Sequence, residues 1–391
     1  MKLREFGPEP NGSFYTYSDF RAVRKEMHNY NKQLVGPAHD IRAVFEDEFA
    51  RYVGVEFAIG VSSAHAGIET VLRCLSPACN DEIISNAINF HGTHQAIVMS
   101  GAKLVLCESS KDALNMDVDD LQKRITQNTV AILMTDMNGM PNDYDRIERI
   151  ICQANAKYGR NIRLIVDAAR SCGAVYKGKK VGSFGWCTIF SFQSKKALCT
   201  LGEGGMVTTN SEELKQKIEC YSRFGKSTCL GSNHKLSSVQ SAVGITQLRK
   251  LDNRNQRRRR LALWRNELLE ERIAGLTIPR EPPGSICTYT YYSLVLPSEW
   301  TSDMRDNLIL ALRHSCGVRC CVANDVTFIT NPVLKNYVDV NACPVSLEIG
   351  NRVISLPIHS SYSSSENHYI CKSFLDQYEI ILSIEQNRNR M

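Results

Sequence analysis

The sequence predicts an α/β fold with a mainly parallel central sheet and a smaller α+β domain toward the C-terminal end. Three observations carry this. Short apolar, β-branched runs alternate with amphipathic helical stretches from about residue 40 to 250. The runs are apolar on both faces, as strands covered by helices on each side of a sheet must be. The texture changes after the turn-rich segment PREPPGS at 279–285. A chain of 391 residues exceeds what one core supports, so a large domain over 1–250 and a smaller one over 251–391 are expected.

In chain order the apolar runs are FAIGV at 57–61, EII at 82–84, KLVLC at 103–107, VAILM at 130–134, IRLIVD at 162–167, CTIFSF at 187–192 and GMVTT at 205–209. Helical stretches at 65–75, 117–125, 143–158 and 211–222 lie between most of them, as crossover helices between parallel strands do. A long helical zone follows at 237–274. Beyond the turn-rich segment the pattern predicts a strand over 288–296, a helix over 302–315, a loop-rich stretch to about 350 and a last helix near 364–384. The first forty residues are weakly patterned and receive no element.

Hydrophobic residues at 43% and charged residues at 23% are ordinary globular usage and exclude a disordered chain. The net charge of +6 is mild, and its most concentrated part, Arg257 to Arg260, lies inside a helical pattern and reads as a solvated face. No helix-turn-helix, zinc or RNA-binding signature accompanies it, so no nucleic-acid partner is expected. The fifteen cysteines are scattered singly without a framework, which suits reduced thiols in a cytoplasmic protein. Cys316, Cys320 and Cys321 lack paired spacing and nearby histidines, so no metal site is predicted. The segment MKLREFGPEPNGSF has no apolar stretch of signal length, and no run approaches a membrane span, so no membrane partner is expected either.

In α/β sheets ligands bind beyond the carboxyl ends of the strands, and five candidate places occur there. In VSSAHAG at 61–67 a strand runs through small residues into a helix. Its first amides, at Ala64 and His65, and the Ser63 hydroxyl suit a phosphate dianion, although a serine helix cap reads the same way. Asp167 ends IRLIVDAARS with no adjacent cation, and a carboxylate there suits a protonated ring nitrogen or, more blandly, a loop cap. In SFQSKKALCTLGEGG at 191–205 a hydroxyl and amines follow a buried strand, and a desolvated lysine amine there suits imine formation with an aldehyde. Phe90, in NAINFHGTHQ, has a ring that suits either the core or the face of a planar cofactor. Asn233, in GSNHKLSSVQSA, lies in a polar turn into a helix and reads as an outward-reaching amide or as part of a cap.

Together, in this order and spacing, these segments resemble the DegT/DnrJ/EryC1/StrS family of pyridoxal-phosphate (PLP) aminotransferases, well from about residue 40 to 260 and loosely elsewhere. The resemblance implies the aspartate-aminotransferase fold, PLP fold type I, and PLP as cofactor. It implies that Ser63, Ala64, His65 and Ser191 bind the phosphate, that Phe90 stacks on the ring and that Asp167 pairs with the ring nitrogen. Lys196, the lysine of SFxxxK, would carry the cofactor as a Schiff base, with Lys195 as the alternative. The GEGG turn at 202–205 also matches. GxNxxLS at 231–237 implies that Asn233 reaches the phosphate of a neighbouring subunit, and hence a homodimer with shared active sites. The implied reaction moves an amino group from glutamate or glutamine to a keto sugar, a ketocyclitol or a related ring ketone.

The chain also departs from the pattern. Arg170 stands three residues after Asp167, where glutamine or histidine is usual, and implies altered ring electronics or an anchor for a substrate anion. His65 stands where threonine is common, and one extra residue separates SFQSKK from GEGG. NYNKQLVGPAHD at 29–40 and GVRCCVANDVTFITNPVLKN at 317–336 lack the family's nucleotide-sugar patterns, and SFQ looks more like the cyclitol and aminobenzoate branch. A lyase or dehydratase on the same scaffold is an alternative. The sugar dehydratases of this family replace the lysine by histidine, against Lys196. A non-catalytic regulator is a further alternative, with no evident need for Asp167 and Lys196.

Overall fold

Seven strands make the central sheet: β1 (Phe57–Val61), β2 (Glu82–Asn86), β3 (Lys103–Cys107), β4 (Thr129–Thr135), β5 (Arg163–Asp167), β6 (Cys187–Ser191) and β7 (Gly205–Thr209). Their order is β1-β7-β6-β5-β4-β2-β3, in a computed structural model that describes residues 5–6, 14–32, 40–111, 114–323 and 325–388. The pairs β2/β3, β2/β4, β4/β5 and β5/β6 are parallel, whereas β7 runs antiparallel to both β6 and β1. The segment between Ser191 and Gly205 is a series of turns with no helix, and the chain comes back antiparallel along β6.

Helices cover both faces and build most of the C-terminal part. Those of seven residues or more among the described residues are α1 (Tyr17–Asn31), α2 (Ile41–Val53), α3 (Ala64–Leu75), α4 (His91–Met99), α5 (Val118–Arg124), α6 (Tyr144–Tyr158), α7 (Glu212–Ser222), α8 (Ser238–Leu269), α9 (Ser302–Cys316), α10 (Pro344–Arg352) and α11 (Ser364–Arg388). Their ends follow local chemistry. Asp40, Asp143 and Thr301 cap α2, α6 and α9 through side-chain oxygens, and Gly54, Gly159 and Gly317 end the same helices in the left-handed region. A capping box of Ser237 and Gln240 starts α8.

The period-2 alternation of the strands sends side chains into two cores. From β5, Leu164 and Val166 join Phe45, Phe49, Tyr144 and Phe190 on one face, while Ile165 joins Ile68, Leu72 and Ile97 on the other. Each such fully buried aliphatic chain contributes roughly 1.5–3 kcal/mol. That is why the runs are apolar throughout. A third core belongs to the C-terminal part, where β8 (Tyr292–Val295) pairs antiparallel with β9 (Val353–Leu356) between α9, α11 and the far end of α8.

Several expectations are corrected. The supposedly unpatterned N-terminal region contains α1, which is held on α8 by polar contacts. Asp19 is 2% exposed and accepts from Lys250 at 2.9 Å and Gln247 at 3.0 Å. Residues 33–39 of NYNKQLVGPAHD lie outside the described residues. Of TYTYYSLVL, only Tyr292–Val295 is strand. The residues before it are bound to loops instead, with Thr288 and Thr290 donating to the Arg170 carbonyl. The arginine run is only partly a solvated face: Arg257 and Arg260 are exposed, but Arg258 is fully buried and donates to the Thr288 carbonyl at 3.0 Å, and Arg259 forks onto Glu281 at 2.7 and 2.6 Å. The face of α8 carrying Arg254, Arg258 and Arg265 packs inward, so the run straddles both sides of the helix.

Candidate active site

The carboxyl ends of β4, β5 and β6 open onto one region. At the end of β5, Asp167 is 4% exposed. Its Oδ2 accepts from Thr93 Oγ1 at 3.0 Å and its Oδ1 from the Ala169 amide at 3.0 Å. Thr135, at the end of β4, adds a longer contact at 3.5 Å and also donates to Asn89 at 3.1 Å. The carboxylate is thus aimed by α4, β4 and its own turn together. Thr93 escaped the sequence reading: a single threonine three residues past Phe90 has no signature until α4 brings it against β5.

β6 delivers the lysine pair. The chain after Ser191 folds into a compact turn in which Lys196 N–H donates to the Gln193 carbonyl at 2.9 Å and Phe192 N–H to that of Gly204 at 2.8 Å. Gly202 and Gly204 hold φ of 112° and 148°, which explains GEGG, and Leu201 takes φ 59° beside them. Tyr15 steadies the turn by accepting from the Leu201 amide at 2.8 Å. Burial, and then the Arg170 guanidinium, bring the Lys196 ammonium down to about 8, against the opposing pull of Asp167 and Glu203. Lys195 is half-buried and adds a like charge.

An anion seat lies where β1 runs into α3. Ser63 caps the helix, its Oγ accepting from Ala66 at 3.0 Å. The amides of Ala64 and His65 precede the first intrahelical bond, from Gly67 to Ser63. Gly205, opening β7, abuts this end so closely that a Cβ on it would lie 2.8 Å from the Ala64 nitrogen and 2.8 Å from the Phe190 carbonyl oxygen. The His65 ring leans on Glu69, 3.5 Å away, rather than forming part of the amide seat. Ser191 is buried beside the seat's strand pair and accepts from Gln193 at 3.4 Å. Phe90 caps α4 with 54% of its surface exposed, and its ring edge would meet a Cβ on Gly92 at 2.5 Å, so only glycine there leaves the ring its position.

Arg170 is buried on the turn after Asp167. It donates to Asn138 at 3.1 Å, and its guanidinium lies 4.9 Å from the centre of the Tyr291 ring. Asn233 is placed elsewhere: it bridges to Arg223 and opens on a cleft with Tyr30, Asp40, Arg42 and Lys235. Asp167, Lys196, Arg170, Phe90 and the seat at 63–65 thus gather around the strand ends, whereas Asn233 does not join them within one chain.

The residues fit PLP on these grounds. A desolvated amine meets the need for an imine-forming nucleophile, a buried and oriented carboxylate that for a ring nitrogen, and a helix start crowded by Gly205 that for a phosphate.

Comparison with known proteins agrees. The chain is 28% identical over 342 residues to GDP-perosamine synthase of Escherichia coli O157:H7, covering 85% of this chain and 89% of that one. Its fold matches Helicobacter pylori PseC, an aminotransferase involved in the biosynthesis of pseudoaminic acid, with TM-score 0.85 at 23% identity over 96% of this chain and 100% of that one. It also matches a Streptococcus pneumoniae chain assigned as a sugar aminotransferase and solved in its PLP form, with TM-score 0.86 at 20% identity over 97% and 99%. Residues 19–375 match the model of the DegT/DnrJ/EryC1/StrS aminotransferase family, and the chain belongs to that family of PLP-dependent transaminases.

Proposed function

We propose that this transaminase moves an amino group from glutamate or glutamine to a keto sugar in a biosynthetic route, with Lys196 as the Schiff-base lysine and Asp167 as the partner of the ring nitrogen. The observation that carries the reading is the Lys196 amine, brought down to about 8 beside Arg170 and Asp167 at the end of a parallel strand. PLP, when bound, supplies an electrophilic carbonyl and an electron-accepting ring.

The chain's own residues do the rest. Near neutral pH the Lys196 Nζ both holds and releases a proton, which suits carrying one away from the donor carbon and returning it. The Asp167 carboxylate, fixed by Thr93 and the Ala169 amide, stabilises positive charge at the ring nitrogen. Ala64, His65, Ser63 and Ser191 receive the phosphate, and Phe90 covers the ring. Arg170 presents a buried cation to an anionic group of donor or acceptor.

The remaining assignments belong to the same proposal. The division into a PLP-binding part over 1–250 and a closing part over 251–391 is kept. A homodimer shares its sites, with Asn233 serving the partner's phosphate. Two features support this: Asn233 opens on a different cleft, and the adjacent helix α1 exposes Tyr17, Phe20, Met27 and Tyr30. Cytoplasmic residence is supported by fifteen cysteines scattered singly along the sequence without a disulfide framework. Among the described residues no helix is long and apolar enough to cross a membrane. A keto-sugar acceptor is supported by the relatives named above, one a GDP-perosamine synthase.

A half-reaction screen tests the reading. Glutamate or glutamine should bleach the visible band of the PLP-loaded protein, and a keto sugar should restore it, with ketocyclitols and keto acids as the competing acceptors. A protein that no amino acid bleaches, or a Lys196→Ala variant that keeps the band and the turnover, would overturn it.

A further inference from the structure

The loop that leads to Asn233 carries two thiols outside the proposed machinery. Cys220 lies in the last turn of α7, and the chain then doubles back so that the Cys229 sulfur stands 3.2 Å from the Cys220 sulfur. Cys229 is exposed and Cys220 half-buried, so the pair faces solvent. The approach is built by the backbone. Phe224, Gly225, Lys226 and Ser227 all lie in the left-handed region, at φ of 59°, 71°, 42° and 63°. Three of these are not glycine, and each such residue costs about 1–2 kcal/mol, so the loop is held in this shape by its contacts. Those contacts include the two thiols: Cys220 Sγ lies 3.1 Å from the Gly225 carbonyl and 3.1 Å from Thr228 Oγ1. The turn is closed tightly enough that a Cβ on Gly231 would lie 2.2 Å from the Gly225 nitrogen.

We propose that Cys220 and Cys229 form a reversible redox pair, closing to a disulfide when a hydroperoxide oxidises them and opening again with a dithiol reductant. Cys220 is the attacking sulfur. Hydrogen bonds from Thr228 and Cys229, with Lys226 nearby, hold its thiol below the ordinary value, while that of Cys229 is raised. Burial instead pushes Cys74, Cys172 and Cys343 up to about 12, which leaves them unreactive. The Cys220 thiolate attacks the peroxide, the O–O bond breaks, and a sulfenic acid forms as alcohol or water leaves. The Cys229 thiol then attacks that sulfur, the S–S bond forms, and the hydroxyl leaves as water with the thiol proton. Two thiols lose two electrons and two protons in all, and the peroxide takes them up.

The pair is tied to the segment ending in Asn233. Phe224 N–H donates to the Ser232 carbonyl at 3.0 Å and Ser232 N–H to the Tyr221 carbonyl at 2.7 Å, with Arg223 and Asn233 bridged between the two arms. The disulfide staples these arms together and fixes the segment in the conformation described.

The test is peroxide titration of the reduced, PLP-loaded protein, followed by thiol blocking and peptide mass analysis. The expected result is a peptide pair joined through Cys220 and Cys229, two hydrogens lighter than its reduced form and restored by dithiothreitol. Cys229→Ser should trap Cys220 as a dimedone adduct, and Cys220→Ser should remove the cross-link without placing dimedone on Cys229. Exposed Cys79 and Cys152 serve as internal controls for general oxidation. Retention of both thiols while those controls oxidise, or separate overoxidation of Cys220 and Cys229 without a cross-link, would overturn the proposal. Matching circular dichroism and PLP absorbance in the serine variants would show that the loss is chemical and not structural.

Discussion

Thr93 donates its hydroxyl proton to Asp167 at 3.0 Å, joining the first turn of α4 to the end of β5 across 74 positions of sequence. The hydroxyl holds Oδ2 while the Ala169 amide holds Oδ1, so the orientation of the carboxylate is set from both sides. Hydrogen bonds to a charged group contribute about 1.5–3 kcal/mol. Asp167→Asn, which removes the charge itself, should slow the half-reaction with glutamate by at least roughly 10- to 100-fold on that scale. Thr93→Val should slow it less, by about 10-fold at most. Stopped-flow bleaching of the visible band reads both, and an Asp167→Asn rate near wild type would remove the assigned role.

The lowered Lys196 ammonium has a pH signature. Condensation of PLP with the apoprotein needs the neutral amine, so its rate should climb as pH rises through about 8 and level off above it. Arg170 is the second cause of that lowering, so Arg170→Gln should move the midpoint upward. A wild-type profile still climbing at the ordinary lysine value of 10.5 would show that the reacting amine sits in water.

The same amine makes a stability prediction with a definite sign. The fold disfavours the charged form, so the unfolded chain binds more protons between about 8 and 10.5. The cost is therefore fully present below about 8 and fades as pH rises toward 10.5. Lys196→Met apoprotein should melt above wild type at neutral pH, and the gap should close with rising pH. Paired melts across that range decide it. A gap independent of pH would assign the effect to packing alone.

Gly205→Ala should damage the anion seat. Its Cβ would meet backbone atoms 2.8 Å away, at Ala64 and Phe190, which no side-chain rotation relieves. We expect a stability loss of about 1–3 kcal/mol, with weakened PLP retention on gel filtration. Gly202→Ala is the control, because nothing lies within 4 Å of its Cβ and only its φ of 112° opposes the change. Equal retention of PLP by the Gly205→Ala protein would dissociate that glycine from the phosphate.

Asn233→Ala should weaken PLP retention while leaving the Lys196 midpoint near 8, since Asn233 is not among the groups acting on that amine. In a shared-site dimer the wild-type affinity should also fall on dilution to monomer. Sedimentation velocity paired with fluorescence titration reads both effects. A monomer with full PLP affinity would exclude the shared site.

The sheet was legible because each strand is apolar on both faces, and FAIGV, KLVLC and GMVTT coincide with β1, β3 and β7 residue for residue. The direction of β7 was not, since an apolar run looks alike read either way. α1 was hidden because it binds α8 through Asp19, Lys250 and Gln247 and leaves Phe20 and Met27 outside, which inverts the usual amphipathic signal. At the site, Asp167 and the 63–65 turn were candidates by position after a strand, whereas Lys196 was singled out of the Lys195–Lys196 pair only by the resemblance to the family. Thr93 and Tyr15 act on them from distant segments, and no spacing rule connects them.

α8 runs for 32 residues, about 48 Å at the helical rise, without a break. One end leans on the glycine turn behind the lysine, where Gln240 donates to the Glu203 carbonyl at 2.7 Å. The other is locked into the C-terminal layer by Arg265, which donates to Asn367 at 2.7 Å and to the Pro357 carbonyl at 2.8 Å. A single unbroken rod therefore carries both contacts, so the turn that bears Lys196 and the C-terminal layer are referenced to one rigid element rather than to two.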